Sequence, residues 1–386
     1  LLLARNVDTG PARDLVWSGG WASVTRREYI RRQKEVPGRR ALGVFPAVYP
    51  RELLWAFDIL PVEIWDPPLE LTAAQAHLQP HVCSVVQLGL ELILQGKAEP
   101  VDGFLFPHTC DSIQNLASLV SDCLQPGQPC YFLYLPKEPF AASARIYYRA
   151  QLKALAGSLE GQFGRLDEDK LREAIRTGRR LNTLLNRLYR DLAAGRLDCG
   201  GAEFYRLVRL GEYLWPDDLA LEYEALLARP PRAAPAGRAA VVLSGLLPNP
   251  PELLELLDRL GLRVTGDDLL CCGRRLAGRV EEEEPPPDDP WAALAEAFFR
   301  LPPCSTRASA TAERLKRLLE LVRAGQARGV IFCPIKFCEP ELFDLPILTA
   351  ELKARGVPTL VLDLEVNQGL SGQLRTRVEA FAEMLA

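Results

Sequence analysis

Apolar residues follow two rhythms along this 386-residue chain. Short solid runs, Leu42-Gly43-Val44-Phe45, Pro61-Val62-Glu63-Ile64-Trp65, Gly103-Phe104-Leu105-Phe106 and Cys130-Tyr131-Phe132-Leu133-Tyr134, read as buried strands. Between them lie stretches of helical spacing, one from Glu52 to Ile59 behind Pro50 and one carrying Val86, Leu88, Leu90 and Leu94. Short apolar strands alternating with helices predict a parallel sheet covered on both faces. From about Pro139 to Leu227 the pattern is helical almost throughout, which predicts three or so linking helices.

The strand-helix rhythm then returns. Ala239 to Gly245, Leu262 to Asp268, Gly329 to Phe332 and Pro358 to Leu362 read as strands, with helices at Pro251–Leu260, Pro290–Arg300, Ala310–Arg323 and the closing segment to Ala386. The fold class is therefore α/β, with an N-terminal arm or short helices at 1–40, a first α/β domain at 41–138, a helical segment at 139–234 and a second α/β domain at 235–386. Arg229-Pro230-Pro231-Arg232 and Pro235 mark the second boundary, and the acidic, proline-rich stretch Glu281 to Asp289 reads as a surface insertion that cannot form a core.

A hydrophobic fraction of 48% suits a chain that buries its own cores, and a formal net charge of -4 with arginines scattered along helices (Arg172, Arg176, Arg179, Arg180, Arg187) argues against nucleic acid as a partner. No apolar run is long enough to span a membrane, and Leu1-Leu2-Leu3-Ala4 is too short for a signal peptide. The chain does not begin with Met, which suggests a truncated or processed start; a cytoplasmic location is the expectation. Ten cysteines in such a setting read as core residues, metal ligands or nucleophiles rather than disulfides. With only three histidines, His77, His81 and His108, a His-rich metal site is disfavoured.

Two segments echo each other. Gly103-Phe104-Leu105-Phe106-Pro107-His108-Thr109-Cys110-Asp111 and Gly329-Val330-Ile331-Phe332-Cys333-Pro334-Ile335-Lys336-Phe337-Cys338-Glu339 are each an apolar strand led by glycine, a proline turn, then a cysteine followed by an acidic residue. Ligands of open parallel sheets collect beyond the carboxyl ends of strands, where both cysteines fall. Cys83 opens a helix after Pro80-His81-Val82, a position whose free backbone N–H groups favour a thiolate. Each of the three serves equally as a small core residue or as a metal ligand. There is no C-x-x-C and no ferredoxin-type run of four. Cys271, Cys272, Cys304 and Cys333 sit near predicted turns and are candidates for a second half-site, whereas Cys123, Cys130 and Cys199 read as structural.

Gly43-Val44-Phe45-Pro46-Ala47-Val48-Tyr49-Pro50-Arg51-Glu52, Cys83, Pro107-His108-Thr109-Cys110-Asp111, Lys336-Phe337-Cys338-Glu339-Pro340 and the tail from Gly372 to Phe381 resemble the 2-hydroxyacyl-CoA dehydratase and benzoyl-CoA reductase family, in order from about residue 40 to the end. The resemblance implies two flavodoxin-like parallel-sheet domains joined by a helical segment, with an iron-sulfur cluster between them. It implies Cys83, Cys110 and Cys338 as ligands of a 4Fe-4S cluster with one open iron. Low-potential electrons would pass there to an acyl-CoA thioester. It also implies a paralogous subunit, or a second copy of the chain, and an ATP-hydrolysing iron-sulfur activator protein as partners; the chain itself has no G-x-x-x-x-G-K-[ST] loop. Glu52 and His108 are the candidate catalytic groups, Glu52 as a proton carrier and His108 as a hydrogen-bond donor, each with an ordinary structural role as the alternative. Some family members hold an 8Fe-9S double-cubane cluster and reduce small molecules, which would enlist Cys272, Cys304 and Cys333 as further ligands. A third alternative is a non-catalytic partner subunit.

Overall fold

The computed structural model describes residues 24–46, 48–98, 101–138, 142–231, 239–276 and 288–386. Most of the N-terminal arm, both expected boundaries of the helical segment and nearly all of the acidic insertion lie outside the described residues.

Helix α1 (Arg26–Glu35) is capped by the Thr25 hydroxyl and buries Tyr29, Ile30 and Gln33, so this part of the arm docks on the core instead of projecting from it. Strands β1 (Arg40–Val44), β2 (Ile59–Glu63), β3 (Gly103–His108) and β4 (Cys130–Tyr134) alternate with α2 (Arg51–Ala56), α3 (Ser84–Leu94) and α4 (Asp111–Ser118), the last running into a π-turn over Leu119–Leu124. All pair in parallel, in the order β2-β1-β3-β4. Helix α2 is shorter than its apolar spacing predicts: Asp58 takes a left-handed conformation (φ 56°), ends the helical turn, and turns Ile59 into the first residue of β2.

Four helices rather than three follow: α5 (Ala142–Phe163), α6 (Glu168–Ala193), α7 (Gly201–Leu210) and α8 (Pro216–Leu227). Helix α6 packs on α2 and on the second sheet, so it belongs to both halves of the molecule. The remainder holds β5 (Ala240–Gly245), α9 (Pro251–Arg259), β6 (Arg263–Leu269), α10 (Gly273–Leu276), α11 (Pro290–Phe299), α12 (Thr311–Ala324), β7 (Gly329–Cys333), α13 (Glu339–Ala354), β8 (Thr359–Val361) and α14 (Gly372–Leu385). Its strands pair in parallel in the order β6-β5-β7-β8, the topology of the first sheet repeated. These are two flavodoxin-like parallel sheets. Each has its switch point where the chain leaves in opposite directions, between β1 and β3 and between β5 and β7, and crevices for ligands open there. Among the described residues no helix is long and apolar enough to cross a membrane.

The two halves are bolted together by buried charge. Glu63, at the end of β2, accepts from the Tyr49 hydroxyl (2.7 Å), Trp65 Nε1 (2.8 Å) and Nη1 of Arg275 from the second half (2.5 Å), with Arg51 at 3.4 Å. Asp66 takes a two-pronged Arg209 (2.8 and 2.6 Å) from α7 and Asn249 Nδ2 (2.9 Å) from the loop after β5. Burial alone would raise the Glu63 carboxyl, but Arg275 and Arg51 outweigh it and hold it down at about 2. Replacing Glu63 by alanine leaves two buried guanidiniums without their anion. That substitution should cost about 3–5 kcal/mol, read as a lower urea midpoint.

Candidate functional site

Cys83, Cys110 and Cys338 share one structural role: each is the residue immediately before a helix, at the starts of α3, α4 and α13. In none of them does the side chain satisfy the helix in the manner of Ser or Asp. Each sulfur instead sits at the positive end of its helix, where exposed backbone N–H groups favour a thiolate. The Val86 amide donates to the Cys83 carbonyl (3.0 Å) and the Glu341 amide to the Cys338 carbonyl (3.1 Å), closing the first turn behind each cysteine.

The three thiols also feel one another across the two halves. Burial pushes Cys83 up to about 12, and the nearby Cys110 adds to this; Cys338 is raised by burial, then by Cys83, with Cys110 contributing. Cys110 is raised by burial and drawn back by Lys137, whose ammonium lies 3.4 Å from the carbonyls of His108 and Thr109. Cys83 and Cys338 are buried and Cys110 is half-buried, and removal from water raises all three thiols. Among the described residues no three His, Cys, Asp or Glu side chains gather closely enough to hold a single ion. Three cysteine thiols are the donor type that iron-sulfur clusters take.

Local structure explains how the three arrive. The loop before Cys83 is wrapped around the buried Glu91 carboxylate, which accepts from the Thr72 hydroxyl (2.6 Å) and the amides of Ala73 (2.9 Å) and Ala74 (2.8 Å). The Ser84 hydroxyl accepts from the Val366 amide of the second half (3.0 Å), tying the start of α3 to the loop after β8. Cys110 follows β3, and the adjacent Thr109 hydroxyl reaches the Pro46 carbonyl beyond β1 (3.4 Å), across the switch point of the first sheet. In the second sheet the equivalent crevice is filled by the chain's own charges. Asp268 and Glu341 face Arg274 and Arg314, all four essentially sealed from solvent, and the Ser305 hydroxyl also donates to Glu341. Glu341 lies in the first turn of α13 and so fixes the helix that Cys338 begins.

The other sequence candidates go elsewhere. Cys272 touches Cys271 (Sγ to Sγ 3.3 Å) beside Asp267, and Cys304 sits by the Thr306 hydroxyl (3.1 Å) and Arg274 (3.8 Å). Cys333 is the last residue of β7, with burial the sole cause of its rise to about 12. None of these is among the groups acting on Cys83, Cys110 or Cys338. Glu52 lies against Gly178 of α6 and acts on Tyr148 of α5, on the helical side of the first sheet; burial raises its carboxyl. His108 stands near the Cys110 turn, edge-on to Tyr134 with centroids 5.8 Å apart, and burial followed by Lys137 lowers its imidazole. Its Nε2 makes no hydrogen bond among the described residues. Sequence reasoning missed Lys137 and the Arg274–Glu341–Arg314 cluster. The spacing of Glu341 three residues after Cys338 was the visible hint, since it places both at the start of one helix.

The model of the 2-hydroxyglutaryl-CoA dehydratase D-component family matches residues 46–385. The chain belongs to that family. It is 28% identical to a benzoyl-CoA reductase subunit of Thauera aromatica, over 90% of this chain and 92% of that one. Similarity extends to the (R)-phenyllactyl-CoA dehydratase beta subunit of Clostridium sporogenes (24%, 93% and 95% covered) and to the (R)-2-hydroxyglutaryl-CoA dehydratase beta subunit of Acidaminococcus fermentans (26%, 90% and 93%). These relatives are subunits of dehydratases and a reductase, and the matched span takes in all three helix-start cysteines.

The ion cluster under α13 gives the site an acid limit. Glu341 is desolvated, which raises it, but Arg274 and Arg314 more than compensate and hold it at about 2 against an ordinary value of 4.5. Its stabilising contribution is therefore complete above pH 4.5 and disappears as the pH falls toward 2. Glu341→Gln should lower the urea midpoint at pH 7 and flatten the loss between pH 4.5 and the acid limit relative to the parent chain.

Proposed function

We propose that this chain is the iron-sulfur component of an ATP-activated radical acyl-CoA dehydratase or reductase, holding one 4Fe-4S cluster through Cys83, Cys110 and Cys338. The observation that carries the reading is that three cysteines from both halves each begin a helix and that their thiols act on one another. When bound, a cluster with three protein ligands supplies a low-potential electron and an open iron able to polarise a thioester carbonyl. The chain's own part is to hold and shield it. Helix-start amides offset the thiolate charge, each such end contributing about 0.3–1 kcal/mol. Lys137 places a positive charge beside Cys110. Burial of Cys83 and Cys338 keeps water from two of the ligands. His108, whose Nε2 makes no hydrogen bond among the described residues and faces Asp111 at 4.0 Å, stands two residues before Cys110, able to hold a proton or donate a hydrogen bond. The partners in this reading are a paralogous subunit and an ATP-hydrolysing activator protein in the cytoplasm.

The separate surroundings of Cys272, Cys304 and Cys333 support one cubane over a double one. A second reading has its own support. The relatives from Clostridium sporogenes and Acidaminococcus fermentans are named beta subunits, so each works beside at least one other subunit, which leaves room for a non-catalytic partner role for this chain.

Anaerobic iron and sulfide analysis tests the proposal. About four irons per chain is expected. Serine at Cys83, Cys110 or Cys338 should strip most of that iron, and serine at Cys272, Cys304 or Cys333 should leave it unchanged. About eight irons, or loss of iron in the second set, would replace the single-cluster reading by the double-cubane one.

A further inference from the structure

A cleft of about 440 Å³ lies between the chain before α3 and two loops of the second half, 336–337 and 365–368. Its wall brackets two of the three cysteines, since Val82 and Ser84 flank Cys83 while Lys336 and Phe337 precede Cys338. Phe337 is held in a left-handed conformation (φ 63°) that a bulky residue rarely adopts, and its ring is 43% exposed, 5.3 Å from the His81 ring. The turn that holds it is pinned by Lys336 N donating to the Leu364 carbonyl and Cys338 N to that of Ile335, both at 3.0 Å. The backbone is thus constrained to present an aromatic ring to the cleft directly beside a proposed ligand.

The rest of the lining is apolar or neutral, apart from three charges. Leu71, Val82 and Leu88 continue the apolar surface of Phe337; the charged members are Glu70, Glu365 and Lys336. Lys336 is committed to Glu365, with Asp363 close enough to reinforce its charge, and the other Glu365 oxygen takes Gln368 Nε2. Carboxylates outnumber the single, already paired cation. A ligand carboxylate entering here would lose water and meet two carboxylates against one paired lysine, whereas an uncharged group gains the apolar wall.

Resting on the thioester reading above, we infer that this cleft receives the acyl group of a thioester that carries no charge beyond the thioester itself, aromatic or aliphatic, and turns away dicarboxylic acyl groups. Selection comes from what the cleft omits, a free cation, as much as from the ring it presents.

Two unreactive probes that differ in charge test this by calorimetry on the anaerobically purified, cluster-bearing full chain: S-(3-phenylpropionyl)pantetheine and S-glutarylpantetheine. The phenylpropionyl thioester should bind at least about tenfold more tightly. Leu71→Trp, which fills the cleft away from the cysteines, should cut its affinity about tenfold with iron content unchanged. Glu365→Gln frees Lys336 and should improve glutaryl binding severalfold while leaving the phenylpropionyl affinity alone. Equal or tighter binding of the glutaryl probe, or indifference to Leu71→Trp, overturns the inference while the thioester reading stands. Failure of both probes to bind a chain with full iron content overturns the thioester reading, and this inference with it.

Discussion

The carboxylate of Glu63 is completely removed from solvent yet remains ionised, because Tyr49, Trp65, Arg51 and Arg275 surround it. Arg275 comes from the second α/β half and the other partners from the first, so the two sheets cannot separate without exposing or orphaning buried charge. Everything at the cysteine site depends on that constraint. Two of the helix starts belong to one half and the third to the other, and side chains on separate bodies keep a common geometry only if the bodies keep theirs. The Arg209–Asp66–Asn249 contacts serve the same end through the helical segment. Such pairs contribute less to net stability than to choosing one arrangement, since docking the halves in another register would leave each charge unmatched.

Repetition of one topology in both halves produced two switch-point crevices with different fates. In the first, β1 and β3 end in a turn that delivers Cys110 and His108. In the second, Glu341 occupies the position where a ligand anion would be expected, clasped by Arg274 and Arg314. The second half has in effect internalised its ligand. The crevice became a mount for α13, and the helix it secures carries the third cysteine.

Much of this was legible in the amino-acid order. Most strands are short, largely apolar runs, and a chain with eight such runs separated by helical spacing has few alternatives to parallel sheets. The cysteines at 110 and 338 stood out because their flanking segments match. What remained hidden depends on contacts between distant residues. The Asp267-Asp268 pair reads as the end of a strand; only the fold shows that β6 runs on to Leu269 and that its alternation sends Asp267 to Tyr189 and Tyr205 and Asp268 to Arg274. Arg274, Arg275 and Arg314 look like the arginines of α6, yet the latter make surface pairs with Glu168, Glu173 and Glu224 while the former are buried. Glu52 begins a helix as expected, but α2 turns it toward α6, a direction that periodicity does not encode.

The distribution of the three helix-start cysteines has a consequence for biogenesis. During synthesis, Cys83 and Cys110 emerge with the first sheet, well before the third cysteine exists. The third appears only when β7 and the start of α13 have been made, and it reaches the others only after the second half has folded against Glu63 and Asp66. Docking of the halves thereby becomes a proofreading step: a chain that is truncated or misdocked leaves the three cysteines apart, and only a finished molecule assembles them.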